Sequence, residues 1–274
     1  MHLKLRIQYD GTAFSGSQLQ AAGRNRTVQG ELESAIERLC SRQIRVALAG
    51  RTDSGVHAWG QVASFTFPEG SRLNTPQSIA NALNGILPMD VAIIEAEQVE
   101  EGFHARFSAT SRAYRYLLLN TPQPLPLLSR YSLYIRRPLD KEAMSEAASL
   151  LVGTHDMAAF AGQGMGVPGK GEEKPNTVRS MAVARLLALD PQTNYWAWNA
   201  PIDVGQGAEG LLALDLVANA FLPQMIRNIT GTLLEVGMGR RTVASFREVL
   251  EGCDRREAGP TAKPHGLCLL WVDY

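Results

Sequence analysis

The first residues of the chain alternate. Leu3, Leu5, Ile7 and Tyr9 are apolar, whereas Lys4, Arg6, Gln8 and Asp10 are polar, which is the period of a half-buried strand. Such a strand needs partners and a covering layer, and the order of the later segments restricts how they are supplied. Thr27 caps a helix whose apolar face is Val28, Leu32, Ala35, Ile36 and Leu39. Strands over 43–49 and 62–67 come next. Thr75-Pro76 opens a second helix, with Ile79, Ala82, Leu83 and Ile86 inward, which Pro88 stops before a strand over 91–96. Strand, helix, strand, strand, helix, strand is the split βαβ arrangement, an antiparallel sheet with two helices on one face.

A second stretch repeats this grammar. Residues 112–119 and 131–135 read as strands, and Asp140 caps a helix reaching about residue 152. Long strands are expected at 177–189 and 211–218, helices at about 222–236 and 244–250, and a closing strand at 267–272. Segments 162–174 and 199–210 read as insertions in loops. The expected fold is α+β: two ferredoxin-like lobes, 1–107 and 108–274, joined edge to edge in one continuous, mainly antiparallel sheet. Helices lie on one face, and the cleft between lobes is the natural site. Pairing the two open edges removes an aggregation liability.

The chemistry concentrates in Gly50-Arg51-Thr52-Asp53-Ser54-Gly55-Val56-His57-Ala58, a turn after an apolar run. Glycines on both sides allow a tight backbone that sets Asp53 at the lip of a sheet, and Arg51 supplies a positive charge that favours the carboxylate. The stretch also suits a plain Asx-type turn with a surface ion pair. A hydrolase triad from Ser54, His57 and Asp53 lacks the usual supply from separate segments and a Gly-x-Ser-x-Gly elbow. A metal site from Asp53, His57 and His104 lacks a further ligand and a recognisable spacing.

Net charge is zero, yet no acidic residue occurs between Phe103 and Leu139, where Arg106, Arg112, Arg115, Arg130, Arg136 and Arg137 fall. The loop to Arg26 adds Arg24. Arginine's planar fork suits phosphate contacts and base stacking, so a cationic face for RNA is possible on a neutral molecule; a solvated face neutralised by acids elsewhere is the alternative. Cys40, Cys253 and Cys268 stand singly and read as reduced residues of a cytoplasmic protein. No apolar run is long enough to span a bilayer, and nothing marks an export signal, so no membrane partner is expected.

With Asp53 placed, the stretch 50–58 resembles the signature of the TruA-type tRNA pseudouridine synthases. The likeness continues through Tyr9-Asp10-Gly11, Phe103-His104-Ala105-Arg106-Phe107-Ser108, Arg112-Ala113-Tyr114-Arg115-Tyr116, Ala218-Asn219-Ala220-Phe221, Met225-Ile226-Arg227-Asn228 and Gly266-Leu267. The resemblance implies an isomerase that converts uridine to pseudouridine in the anticodon arm of tRNA, at positions 38, 39 and 40. It also implies no metal or organic cofactor and a homodimer. Carried over by position, Asp53 is the catalytic aspartate, Tyr114 the aromatic residue against the target base and Arg227 the arginine paired with the aspartate. Arg51 is a candidate wedge or brace and Leu267 a candidate wall of the uracil pocket. Arg24, Arg26, Arg106, Arg112 and Arg115 are candidate RNA contacts. A non-catalytic RNA-binding protein of the same fold is the competing function. The chain departs from the family at Ser17, where tryptophan is usual, and at Pro223-Gln224.

Overall fold

The computed structural model describes residues 1–19, 25–68, 73–162, 176–189 and 210–274. In chain order its elements are β1 (His2–Tyr9), α1 (Val28–Cys40), β2 (Ala47–Leu48), β3 (His57–Thr66), α2 (Pro76–Asn84), β4 (Val91–Gln98), β5 (Ser111–Leu119), β6 (Leu133–Tyr134), α3 (Lys141–Ser149), β7 (Gly153–Asp156), β8 (Val178–Ala188), β9 (Leu211–Ala218), α4 (Met225–Gly237), α5 (Val243–Gly252) and β10 (Leu267–Asp273). The architecture is α+β, as the alternation of patterns predicts. The chain divides into two compact units, Met1–Ala113 with Cys268–Tyr274, and Tyr114–Leu267. The sequence pattern sets a boundary near Phe107. The last residues stand with the first unit because Cys268 and Leu269 pair in parallel with His57 and Ala58.

In the first unit the strand order is β4-β1-β3-β10, with short β2 also on β3. β1 runs antiparallel to both β3 and β4. One side of the sheet is the core: Leu3, Leu5, Ile7 and Tyr9 are buried, as are Val28, Leu32, Ala35 and Ile36 of α1 and Ile79, Ala80 and Leu83 of α2. The intervening residues of β1 form the polar side. Lys4 and Arg6 stand opposite Glu97 and Glu95 in register and pair with them at 2.8 Å each, modest exposed cross-strand contacts. Both helices carry their expected caps: the Thr27 hydroxyl accepts from Gly30 N–H, and Thr75 forms a reciprocal capping box with Ser78.

Two strands differ from the sequence pattern, each for a local reason. β2 shrinks to two residues because Val46 bonds to side chains instead of a ladder. Its N–H donates to Glu33 Oε1 (3.0 Å), and its carbonyl accepts from Gln29 Nε2 (3.1 Å). β3 begins five residues before the expected strand, directly after the Asp53 turn. Gly60 lets it approach β10, since a Cβ there would lie 2.3 Å from the Leu270 carbonyl oxygen.

In the second unit the sheet order is β5-β9-β8-β7, with β6 beside β5. β7 is an added strand whose polar sequence gives no period-two signal; it pairs antiparallel with β8 from Gly153 to Asp156. α4 is buried almost all round rather than along one stripe, with Asn228, Thr230 and Thr232 fully enclosed. Those polar groups are satisfied inside. Asn228 Nδ2 donates to the Phe160 and Ala161 carbonyls (2.8 and 3.1 Å), and its Oδ1 accepts from Thr261 and Arg255 (2.6 and 3.0 Å). The insertions at 162–174 and 199–210 lie outside the described residues apart from Gly162 and Gly210. Among the described residues no helix is long and apolar enough to cross a membrane.

Candidate active site

Asp53 is half-buried in a loop that leads into β3. Its carbonyl accepts from Val56 N–H at 3.1 Å, closing a turn in which Gly55 has φ +79°. That left-handed angle is what a type II turn requires at its third residue. The turn is held from several sides. Ser54 Oγ and Gly55 N–H both donate to the Phe14 carbonyl (3.0 and 3.3 Å). The Val56 backbone presses on Gly11, where a Cβ would sit 2.0 Å from the Val56 oxygen, so only glycine fits without a shift.

Thr52, the residue before the carboxylate, is gripped more closely still. Its N–H donates to Ser17 Oγ at 2.9 Å, and its carbonyl accepts from Ser17 N–H at 3.1 Å. Ser17 has no exposed surface and Thr52 little, so these bonds are shielded from bulk water. Gln61, also fully buried, spans the next residues. Its amide donates to the Gly50 carbonyl (2.9 Å) and accepts from Gly50 N–H (3.2 Å), and it also reaches the Tyr9 hydroxyl at 3.4 Å. The phenol is also hydrogen-bonded to Thr52 Oγ1 at 2.8 Å. Burial pushes the Tyr9 phenol up to about 12, against the opposing effect of its bonds to Thr52 and Gln61. The consequence is a carboxylate on a backbone fixed by a buried polar network, the arrangement that holds a reacting group in one geometry.

Arg51 projects from the same loop and is exposed. His57 does not serve a triad: its Nδ1 accepts from Gly11 N–H (3.0 Å) beside Asp10 (3.2 Å), while Ser54 is turned to Phe14. His104 Nδ1 is likewise occupied, by the N–H groups of Arg106 and Phe107 (3.1 and 3.3 Å). No group of three metal-ligating side chains occurs among the described residues.

In the second unit, Tyr114 is buried on β5 and meets Phe221 edge to face at 5.1 Å. Tyr116, on the same strand face, is fully buried, and its hydroxyl donates to the Lys263 carbonyl at 2.5 Å. Burial raises that phenol well above its ordinary value, with nearby Arg227 acting the other way. Arg227 lies in the first turn of α4, where its Nε donates to the Ala262 carbonyl at 2.8 Å and fixes the plane of the guanidinium. Leu267 is buried at the start of β10.

The candidate RNA-contacting arginines fall into two groups. Arg26 makes a bidentate pair with Asp90 (2.6 and 2.8 Å), a bond to Glu31 and a cation–π contact with Phe14 at 4.2 Å. Arg112 is nearly buried and donates to the carbonyls of Arg106, Ala109 and Ala49. Arg115 grips Asp215 with two bonds, 2.7 and 2.9 Å. Arg106 alone of the described four is exposed, its guanidinium 5.8 Å from the centre of the Phe107 ring. Arg24 lies outside the described residues. Sequence reasoning missed Ser17, Tyr9 and Gln61 as supports of the loop. Gln61 carries no signal at all, and Ser17 is marked only as a departure from the family pattern.

A model of the tRNA pseudouridine synthase family matches residues 6–108 and 147–274. The chain is 46% identical to tRNA pseudouridine synthase A of Chloroflexus aurantiacus, over 99% of this chain and 88% of that protein. It is 42% identical to the protein of that name from Roseiflexus castenholzii (100% and 90%) and 41% identical to that from Thermus thermophilus (99% and 96%). The matched spans take in Gly11, Ser17, the loop at 50–56 and Gln61 together, and the chain belongs to the tRNA pseudouridine synthase family.

Proposed function

We propose that this protein isomerises uridine to pseudouridine in the anticodon arm of tRNA, at positions 38, 39 and 40, with Asp53 as the catalytic carboxylate. It acts as a cytoplasmic homodimer and needs no metal or organic cofactor. The reaction breaks the N1–C1′ bond, turns the uracil and rejoins it through C5; the C5 proton is lost and N1 gains one, so nothing is consumed. A carboxylate serves by attacking C1′ or by taking a proton from the sugar, and either route needs it anionic and fixed. Tyr114 offers an aromatic face to the flipped base, Leu267 an apolar wall, and Arg227 a guanidinium held in plane to pair with the carboxylate. Arg51 fills the gap the base leaves or braces Asp53. Arg24, Arg26, Arg106, Arg112 and Arg115 meet the RNA backbone, three of them while also holding their own fold contacts.

The observation that carries this reading is the loop around Asp53. Four buried side chains and two glycines fix the backbone on both sides of Asp53, and none of that investment is needed for a surface ion pair. The test is Asp53→Asn, which preserves size and hydrogen-bonding shape. Nucleoside analysis of treated tRNA should show pseudouridine with the wild type and none with the variant, while tRNA affinity is largely retained. Turnover that survives the substitution refutes the assignment.

A further inference from the structure

The segment Phe103–Ser108, of which only Arg106 has been given a role, presents an unusual surface. Phe107 is 78% exposed, and the turn that bears it is firmly held. His104 stacks on the ring at 4.4 Å, with the planes 30° apart, while its Nδ1 accepts from two backbone N–H groups of the turn. His104 N–H donates to Ser108 Oγ, and Ser108 N–H returns to the His104 carbonyl (3.0 and 2.9 Å). Ala105, fully buried, donates to Ser64 Oγ at 3.0 Å, and Arg112 holds the Arg106 carbonyl at 2.7 Å. A phenylalanine so rigidly displayed to water forgoes burial and gives up little further freedom on binding.

The ring borders a cavity of about 200 Å³ whose lining includes His104, Arg106, Arg51, Gln18 and Gln29. That is smaller than the roughly 300–1,000 Å³ of pockets that engulf a drug-sized ligand, so it accepts one ring system. None of its described lining residues is acidic, and Arg51 and Arg106 give it positive charge. Gly50 and Arg51, which lie just ahead of Asp53 in the chain, are shared with the catalytic loop. We propose that this cavity is a stacking subsite for one unpaired RNA nucleobase beside the target uridine, seated on Phe107, with its phosphate met by Arg106. The inference rests on the RNA-modifying function proposed above and adds to it a second point of base recognition. Stacking on an aromatic ring tolerates any base, since each has a π-face, so the subsite gives affinity and register rather than sequence preference.

The test uses the full-length protein, a synthetic anticodon stem–loop RNA and the variants Phe107→Leu and Phe107→Trp. Leucine keeps apolar bulk and removes the π-face; tryptophan keeps both. Fluorescence anisotropy should show Phe107→Leu weakening RNA affinity by roughly fivefold to a hundredfold, the range expected on removing one base–aromatic stack. Phe107→Trp should stay close to the wild type. 2-Aminopurine placed at successive loop positions should be quenched on binding at one position in the wild type and not in Phe107→Leu. Equal affinity of all three proteins overturns the proposal. So does a light-scattering mass that falls in Phe107→Leu with RNA affinity per folded subunit unchanged, which would make the ring a contact between copies. Wild-type protein that binds the RNA with this Phe107 dependence but forms no pseudouridine would instead refute the catalytic reading alone.

Discussion

Ser17→Ala removes one oxygen atom, and the structure fixes what that oxygen does. It is the acceptor for Thr52 N–H, with Ser17 fully buried and Thr52 nearly so. Leaving a buried donor unsatisfied costs about 1–3 kcal/mol, so urea unfolding should give a stability lower by that amount. The fold itself should survive, because Thr52 keeps its carbonyl bond to Ser17 N–H and its side-chain bond to Tyr9. The larger effect is expected in catalysis. Thr52 is adjacent to Asp53, and displacement of a reacting group by about 1 Å can cost on the order of a hundredfold in rate. Single-turnover pseudouridine formation at saturating tRNA should therefore drop at least tenfold, with a much smaller change in tRNA affinity. If Ser17→Ala matched the wild type in both stability and rate, the buried network could not be what holds the catalytic loop.

Two further outcomes rest on the same geometry. Tyr9 is neutral in the fold until about pH 12, whereas an unfolded tyrosine ionises near 10, so its contribution is complete below pH 10 and is lost as pH rises towards 12. Unfolding free energy should fall by about 2–3 kcal/mol more over that window in the wild type than in Tyr9→Phe, measured by denaturant titration at matched pH. Arg106→Ala should lower the log–log salt dependence of tRNA binding by about 0.7–0.9, because one phosphate no longer has its guanidinium, without altering the melting temperature. Arg112→Ala should lower the melting temperature as well, because three carbonyls are left without their donor; equal thermal stability of the two variants would contradict their assigned roles.

Much of this was open to reading from the chain alone, and where it was not the reason is physical. Alternation and caps announced β1, α1 and α2, because each buries one face and exposes the other. Asp53 stands out as a candidate in the sequence because its neighbours are unusual for a surface turn. The first half of β3 does not: Gly60 is there for close backbone approach and Gln61 for hydrogen bonding, and neither carries strand propensity. α4 was under-read because Asn228, Thr230 and Thr232 look solvent-facing until their partners inside the fold are known. Arg26, Arg112 and Arg115 show the converse difficulty. A run of arginines without nearby acids reads as a bare cationic face, yet Asp90 and Asp215 lie 64 and 100 residues from the guanidiniums they pair with.

The pairing of Cys268 and Leu269 with the start of β3 has a bearing on biogenesis. The same closing residues reach the Phe107 turn, with Tyr274 donating to the Ala105 carbonyl and packing on Phe103, and Asp273 accepting from Thr110. A nascent polypeptide therefore carries Asp53 out of the ribosome more than two hundred residues before the strand that pairs with the start of β3. Contacts of such long sequence separation form late and slowly, so the loop that bears Asp53 gains its β10 neighbour only after residues 268–269 have been made.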